Sequence, residues 1–140
     1  MNIHFFTENT DYKLKQKTQL KKWVKEAIQS HHFRLEELNF ILCSDAYLHE
    51  MNVKYLDHDT LTDVITFDNS EEPQTIEGDI FISLERVKEN AESLKVSLQN
   101  ELHRVMIHGT LHLLGFKDKT KQDQETMRKM EDFWLAKLPQ

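Results

Sequence analysis

The middle of this chain reads LQNELHRVMIHGTLHLLGFKD over residues 98–118. On a helix that turns about 100° per residue, its apolar side chains cover nearly the whole circumference, which is typical of a buried helix. One narrow stripe is ionisable instead, because Glu101, Arg104 and His112 project within about 40° of His108. Buried charge is costly unless it is paired or bound to a metal. The segment therefore predicts a central buried helix that carries a site.

The end of this segment has the residue types of a metal site. His108 and His112 are four residues apart, so their imidazoles lie on one face of the helix and can bind the same divalent ion. Gly115 offers a position where the helix can end in a left-handed turn and the chain can swing back. We expect this turn to bring the carboxylate of Asp118 to the same point. Two histidines and one carboxylate are a known catalytic zinc set with a fourth position for water, which indicates a hydrolase.

The segment lacks the signature of a zinc peptidase. In the sequence His-Glu-x-x-His, the glutamate beside the first histidine is the general base. The residue after His108 here is Gly109. A histidine pair at this spacing also occurs on helices without any metal, and the ionisable stripe is what favours a site.

Length and composition limit the classes of protein to which this chain can belong. The chain has 140 residues with only three glycines and two prolines, so we expect a single domain over residues 1–140. No apolar run reaches the roughly 18 residues of a membrane span, and residues 1–8 do not resemble a signal peptide. The single cysteine, Cys43, excludes an intramolecular disulfide and fits a reducing compartment. These features predict a cytoplasmic protein.

The charge distribution is uneven. A formal net charge of −6 argues against strong, non-specific binding of nucleic acid. Six lysines nevertheless lie within residues 13–25, where a solvated helix face is the favoured interpretation. Lys117, Lys119 and Lys121 surround Asp118, and there a solvated surface and a role beside the chemistry are equally open.

The order of periodic segments indicates the fold class. Strands are predicted at residues 2–6, 38–43, 63–67 and 78–82. Helices are predicted at residues 18–30, 45–56 and 84–95, after a Ser97 cap, and after a capping box that begins at Thr120. Four strands and five helices favour a sheet covered mainly on one face, in an α+β or α/β arrangement.

Several segments resemble one known family. Residues 108–118 resemble the signature of the YbeY family, bacterial metal-dependent endoribonucleases linked to 16S rRNA maturation and ribosome quality control. Thr62–Phe67, TDVITF, is similar to the family's TDVLSF strand, and Gly78–Ile80 matches its GDI segment. The order and spacing fit over residues 36–135. The resemblance implies an α+β fold with a small mixed four-stranded sheet, a substrate of single-stranded rRNA precursor, and the ribosome or ribosomal proteins as partners.

The first departure from the family concerns the metal. The family motif usually ends in a third histidine, and the matching residue here is Asp118. An anionic ligand lowers the net charge of the site. It should therefore make the ion a weaker acid toward its bound water.

The second departure concerns catalysis. Family members usually carry an arginine after the tyrosine that matches Tyr55, and Leu56 stands there. A guanidinium can stabilise charge on a phosphoryl oxygen, whereas leucine cannot. Arg104, one turn before His108, is a candidate substitute. The alternative for Arg104 is a salt bridge to Glu101 or Asp79.

These parts give a mechanistic hypothesis. One zinc ion per chain, or another divalent transition metal, binds His108, His112 and Asp118 and activates water or polarises a phosphodiester oxygen. The lysines around Asp118 draw the RNA phosphates. The general base is open: Asp79 could be a base or could orient a histidine, and Glu101 and Asp63 are equal alternatives.

Three functions are compatible with the sequence. The favoured one is a metal-dependent endoribonuclease of rRNA maturation. The second is a metallohydrolase with another substrate, which the loss of the arginine keeps open. The third is a ribosome-associated factor whose metal is structural; a closed site with four protein ligands would favour it.

Overall fold

The computed structural model describes residues 2–56 and 62–138. Its strands are β1 (Ile3–Glu8), β2 (Arg34–Cys43), β3 (Val64–Asp68) and β4 (Thr75–Ser83). Its helices are α1 (Lys17–Ser30), α2 (Asp45–Leu56), α3 (Leu84–Leu94), α4 (Leu98–Leu113) and α5 (Lys121–Lys137). Each of these nine elements overlaps a predicted segment.

The strands form one mixed sheet in the order β1-β2-β4-β3. β1 and β4 both run parallel to β2, and helix α1 makes the crossover between β1 and β2. β3 runs antiparallel to β4 at one edge of the sheet. The α+β class and the small mixed sheet that the family resemblance implies are confirmed.

Helix α4 lies at the centre of the fold. One side packs on β3 and β4, and α1, α3 and α5 also contact it. Gly109 faces the sheet, where an added Cβ would lie only 2.9 Å from Cγ2 of Ile80. In a zinc peptidase this position holds the general base. Here it is a glycine that lets the helix pack closely against the sheet. The core of this face includes Phe40, Ile80, Leu102, Met106 and Leu111.

The second face of the sheet is covered only in part. Helix α2 packs there over a small buried cluster of Cys43, Leu48 and Ile65. Burial raises the pKa of the Cys43 thiol to about 12, which fits a small core side chain rather than a reactive one. The helices therefore cover mainly one face, as predicted. No helix among residues 2–56 and 62–138 has the length and hydropathy to cross a membrane.

Two strands begin earlier than predicted. β2 begins at Arg34 and β4 at Thr75, and these two residues pair with each other. Both added segments are mostly polar, but strand pairing extends through a register shift between Leu35 and Glu37.

Two aromatic residues of α2 and α5 are exposed. Tyr55 is 56% and Phe133 is 51% exposed. Phe133 precedes Trp134, which is buried, and consecutive residues on a helix point about 100° apart. Tyr55 packs at the margin of the second face, with its ring edge-to-face against Phe67.

Candidate metal centre

The turn after α4 has the backbone conformation that the sequence predicts. Gly115 has a φ of +105°, in the region that side chains disfavour. Its N–H donates to the carbonyl oxygen of His112, and the N–H of Phe116 donates to that of Leu111. These bonds close the helix and direct the chain back along it. Asp118 is thereby placed beside the two histidines.

Three ligand atoms converge at this point. Asp118 Oδ2 lies 3.5 Å from His108 Nε2 and 3.4 Å from His112 Nε2, and the two nitrogens are 3.0 Å apart. A tetrahedral ion bound at about 2.0–2.1 Å requires donor atoms about 3.3 Å apart. Among the residues that the structure describes, these three form the group that could hold a metal ion.

The outer nitrogens of the two rings show which atoms face the centre. His112 Nδ1 lies 3.0 Å from the carbonyl oxygen of Phe116, and His108 Nδ1 lies 2.6 Å from Glu131 Oε2. Both oxygens are acceptors, so both Nδ1 atoms donate and both Nε2 atoms present lone pairs. Two such lone pairs and a carboxylate repel one another unless a metal ion or a proton lies among them. The donor set therefore fits a metal.

Glu131 is a site residue that the sequence analysis missed. It is 5% exposed, and its Oε1 accepts a hydrogen bond of 2.9 Å from Arg104 Nη1. Burial alone would raise the pKa of Glu131, but its contacts with His108 and Arg104 dominate and lower it. Burial would lower the pKa of His108, but the hydrogen bond and charge of Glu131 raise it. One signal was present: Glu131 shares a helix face with Met127 and Trp134, which are both buried.

Two recesses meet at the candidate metal group. A cavity of about 370 Å³ opens on one side, and its wall includes Leu56 and Asp63 together with all three ligands. The wall is completed by Asn52, Thr62, Val64, Ile65 and Thr66. A cavity of about 450 Å³ on the α5 side shares His108 and Asp118. It is further lined by Lys121, Gln124, Glu125, Met127, Arg128 and Glu131.

Arg104 does not have the partners predicted for it. Its guanidinium bonds to Glu131 and, over 2.8 Å, to Asp132 Oδ1. The predicted salt bridge to Glu101 or Asp79 was wrong, because α5 brings its own carboxylates to this side of α4. Arg104 lines neither recess, although it lies directly behind His108.

The three candidate general bases are separated by the fold. Asp79 accepts hydrogen bonds from Asn39 and Asn69 and lies on the face of β4 opposite Ile80, so the structure does not bring it to the metal group. Glu101 is buried but lines neither recess. Asp63 lines the cavity of about 370 Å³ beside the three ligands, and burial raises the pKa of its carboxyl.

The positions that depart from the family lie at the site. Leu56 lines the same cavity as the three candidate ligands. Of the lysines near Asp118, Lys121 lines the second recess, and Lys117 and Lys119 are exposed.

The fold and this site define a class of α+β proteins with a hydrolase-type His-His-carboxylate centre. Residues 4–139 match the family model described as Endoribonuclease YbeY, and the chain belongs to that family. The predicted resemblance is thus confirmed.

Individual relatives agree over almost their whole length. Endoribonuclease YbeY of Cytophaga hutchinsonii is 51% identical over 134 residues, which cover 96% of this chain and 94% of the relative. The protein of the same name in Amoebophilus asiaticus is 48% identical, with 96% and 91% covered. The solution structure of TM1509 from Thermotoga maritima aligns with a TM-score of 0.65 at 29% identity, over 96% of this chain and 90% of that one.

Proposed function

We propose that this protein is a metal-dependent endoribonuclease that cleaves single-stranded RNA in 16S rRNA maturation and ribosome quality control. The observation that carries the proposal is the convergence of His108, His112 and Asp118 between two recesses in a chain of this family. The substrate is a precursor of rRNA, the partners are the ribosome or ribosomal proteins, and the compartment is the cytoplasm.

The metal is proposed to be one zinc ion per chain, and other divalent transition metals suit the same donors. His108 and His112 would hold it through Nε2, and Asp118 through a carboxylate oxygen. When bound, the ion supplies a Lewis acid for hydrolysis of a phosphodiester.

The residues of the chain supply the remaining functions. We assign the proton-accepting role to Asp63, because this residue lines the cavity that the three ligands also line. Lys121 and Arg128 line the recess on the α5 side, and their charges suit the phosphate groups that flank the cleaved bond. Leu56 contributes an apolar wall where relatives of the family usually carry a cation.

A structural role for the metal is less well supported. A structural zinc site is usually closed by four protein ligands. Among the described residues the site offers three, and each of them is partly exposed and lines a recess. A metallohydrolase with another substrate stays a second candidate. Leu56 lies in the cavity wall where the family usually has an arginine, and leucine cannot bind a phosphoryl oxygen.

The test is cleavage of single-stranded RNA by the purified protein, with metal analysis of the same batch. His112→Ala should abolish both metal retention and cleavage, while the melting temperature falls only modestly because the apolar faces of α4 remain. His4→Ala, at a half-exposed histidine on β1, is the matched control and should retain both. A metal-loaded protein that leaves RNA intact but hydrolyses another ester or a peptide would favour the second candidate. Unfolding of the protein by a chelator would favour a structural metal.

A further inference from the structure

A continuous set of contacts connects α5 to the candidate metal group. Glu131 on α5 accepts from His108 Nδ1 through one carboxylate oxygen and from Arg104 through the other. We infer that Glu131 and Arg104 are positioning residues of the metal centre: Glu131 fixes the tautomer and ring orientation of His108, and Arg104 holds the Glu131 carboxylate in place. This inference rests on the metal-binding part of the proposed function.

Glu131 determines which ring nitrogen of His108 is available. A neutral imidazole has one N–H, and the 2.6 Å contact to a carboxylate oxygen places it on Nδ1. Nε2 is then free to bind an ion. The ring also stands nearly perpendicular to that of His112, at 84°, with centroids 4.5 Å apart. This orientation allows both Nε2 atoms to point at the same centre, and a carboxylate partner of this kind makes an imidazole a stronger ligand.

Arg104 is held by two carboxylates of α5 and lines neither recess at the metal group. Its Nη1 bonds to Glu131 and its Nη2 bonds to Asp132, and its side chain is 17% exposed. Arg104 therefore does not replace the family arginine whose position Leu56 occupies. Its position one turn before His108 instead lets it clamp Glu131 from the side opposite the imidazole.

Packing alone does not account for a carboxylate at position 131. The residue lies on the buried face of α5 with Met127 and Trp134, where an apolar side chain would also join α5 to α4. A buried ion pair often stabilises a fold no more than apolar side chains of the same volume. The direct contact with a metal ligand gives this carboxylate a reason that packing does not.

The inference is tested by zinc affinity, without RNA. The dissociation constant is measured for the full-length protein by competition with a chromogenic chelator, and the Co²⁺ absorption spectrum reports the ligand geometry. Glu131→Gln should weaken zinc binding about 10- to 100-fold, and Glu131→Met at least as much. Arg104→Gln should weaken it by a smaller factor, because the carboxylate loses its clamp but not its bond to His108. Asp132→Asn is the matched control: it removes the other partner of Arg104 and should leave the affinity within about twofold.

Each outcome decides the inference. Zinc affinity that is unchanged in both Glu131 variants would overturn it, and so would an equal loss in Asp132→Asn, since the effect would then come from the contact between α4 and α5. If the Glu131 variants do not fold, Arg104→Gln decides: weakened affinity supports the inference and unchanged affinity overturns it. A wild-type protein whose zinc affinity depends on Glu131 but which cleaves no RNA refutes the proposed function alone. A wild-type protein that binds neither zinc nor another divalent transition metal refutes both.

Discussion

Asp118 Oδ2 lies 3.4 Å from His112 Nε2, although Asp118 lies beyond the helix that carries His112. The contact exists because Gly115, with a φ of +105°, reverses the chain directly after α4. The backbone conformation of Gly115 thus determines where the candidate metal ligand Asp118 lies.

Gly115→Ala should therefore weaken metal binding as well as stability. No atom lies within 4 Å of the added Cβ, so the cost is the disfavoured φ, about 1–2 kcal/mol. Relief of that strain would shift Asp118 away from the histidines and lower zinc affinity. Zinc affinity is measured by chelator competition, and stability by urea unfolding of the metal-free protein.

Lys95→Gly is the matched control. Lys95 also has a positive φ, 59°, at the end of α3, so this change should stabilise the fold and leave zinc affinity unchanged. Zinc affinity that is the same in Gly115→Ala and wild type would mean that the turn does not hold Asp118 in the site.

Asp118→His tests the role of the anionic residue at the site. The change removes one negative charge from the ligand set, so the ion withdraws electrons more strongly and the pH–rate profile for RNA cleavage should move to lower pH. The measurement is kcat/KM across pH for both proteins, each confirmed to hold one metal per chain. An unchanged pH–rate profile in a variant that still binds one metal would mean that Asp118 is not a metal ligand.

The parts of the structure that were predictable are those set by local sequence. Ser97 and Thr120 cap α4 and α5 as their spacing predicts, each side chain accepting from a backbone N–H three residues on. The helical spacing of His108 and His112 and the turn at Gly115 are equally local. These features place most of the candidate site before any tertiary contact is known.

The parts that were missed depend on which surfaces meet. Glu131 is 23 residues from His108 and reaches it only because α5 packs along α4. Asp79 is in a predicted strand, but the sequence does not say which of the two alternating faces of that strand meets α4; the close contact between Gly109 and Ile80 decides it.

His103 should make the protein less stable in acid. It is 6% exposed, burial lowers its pKa below 6.5, and the cavity beside it is lined by neutral residues. Below pH 6.5 the unfolded chain gains a proton at this position that the folded protein binds less well, so stability is lost as pH falls from 6.5 toward the pKa in the folded state. The loss attributable to His103 is at most about 1.4 kcal/mol per pH unit.

The check is urea unfolding of metal-free wild type and His103→Gln at pH 7.5 and 5.5. The wild type should lose more stability than the variant between these values. The raised pKa of His108 acts with the opposite sign, but it is present in both proteins and cancels in the comparison. Between pH 7.5 and 8.5 the two proteins should show the same change, as the control. Equal losses of stability between pH 7.5 and 5.5 would show that the fold accommodates a charged imidazole at position 103.

Leu56→Arg should increase cleavage of RNA. Leu56 is on the wall of the cavity that contains His108, His112 and Asp118, so a guanidinium there can reach a phosphoryl oxygen of a bound substrate. Charge that develops in the transition state would then be stabilised, and kcat should rise by about tenfold or more.

The matched control is Val53→Arg, which adds the same charge to an exposed position one turn earlier on α2 that does not line the cavity. The measurement is kcat and KM on one single-stranded RNA at two salt concentrations. An equal gain from both variants, lost at the higher salt concentration, would show only general attraction of RNA. No gain from Leu56→Arg in a variant that retains its metal would mean that this wall does not contact the reacting phosphate.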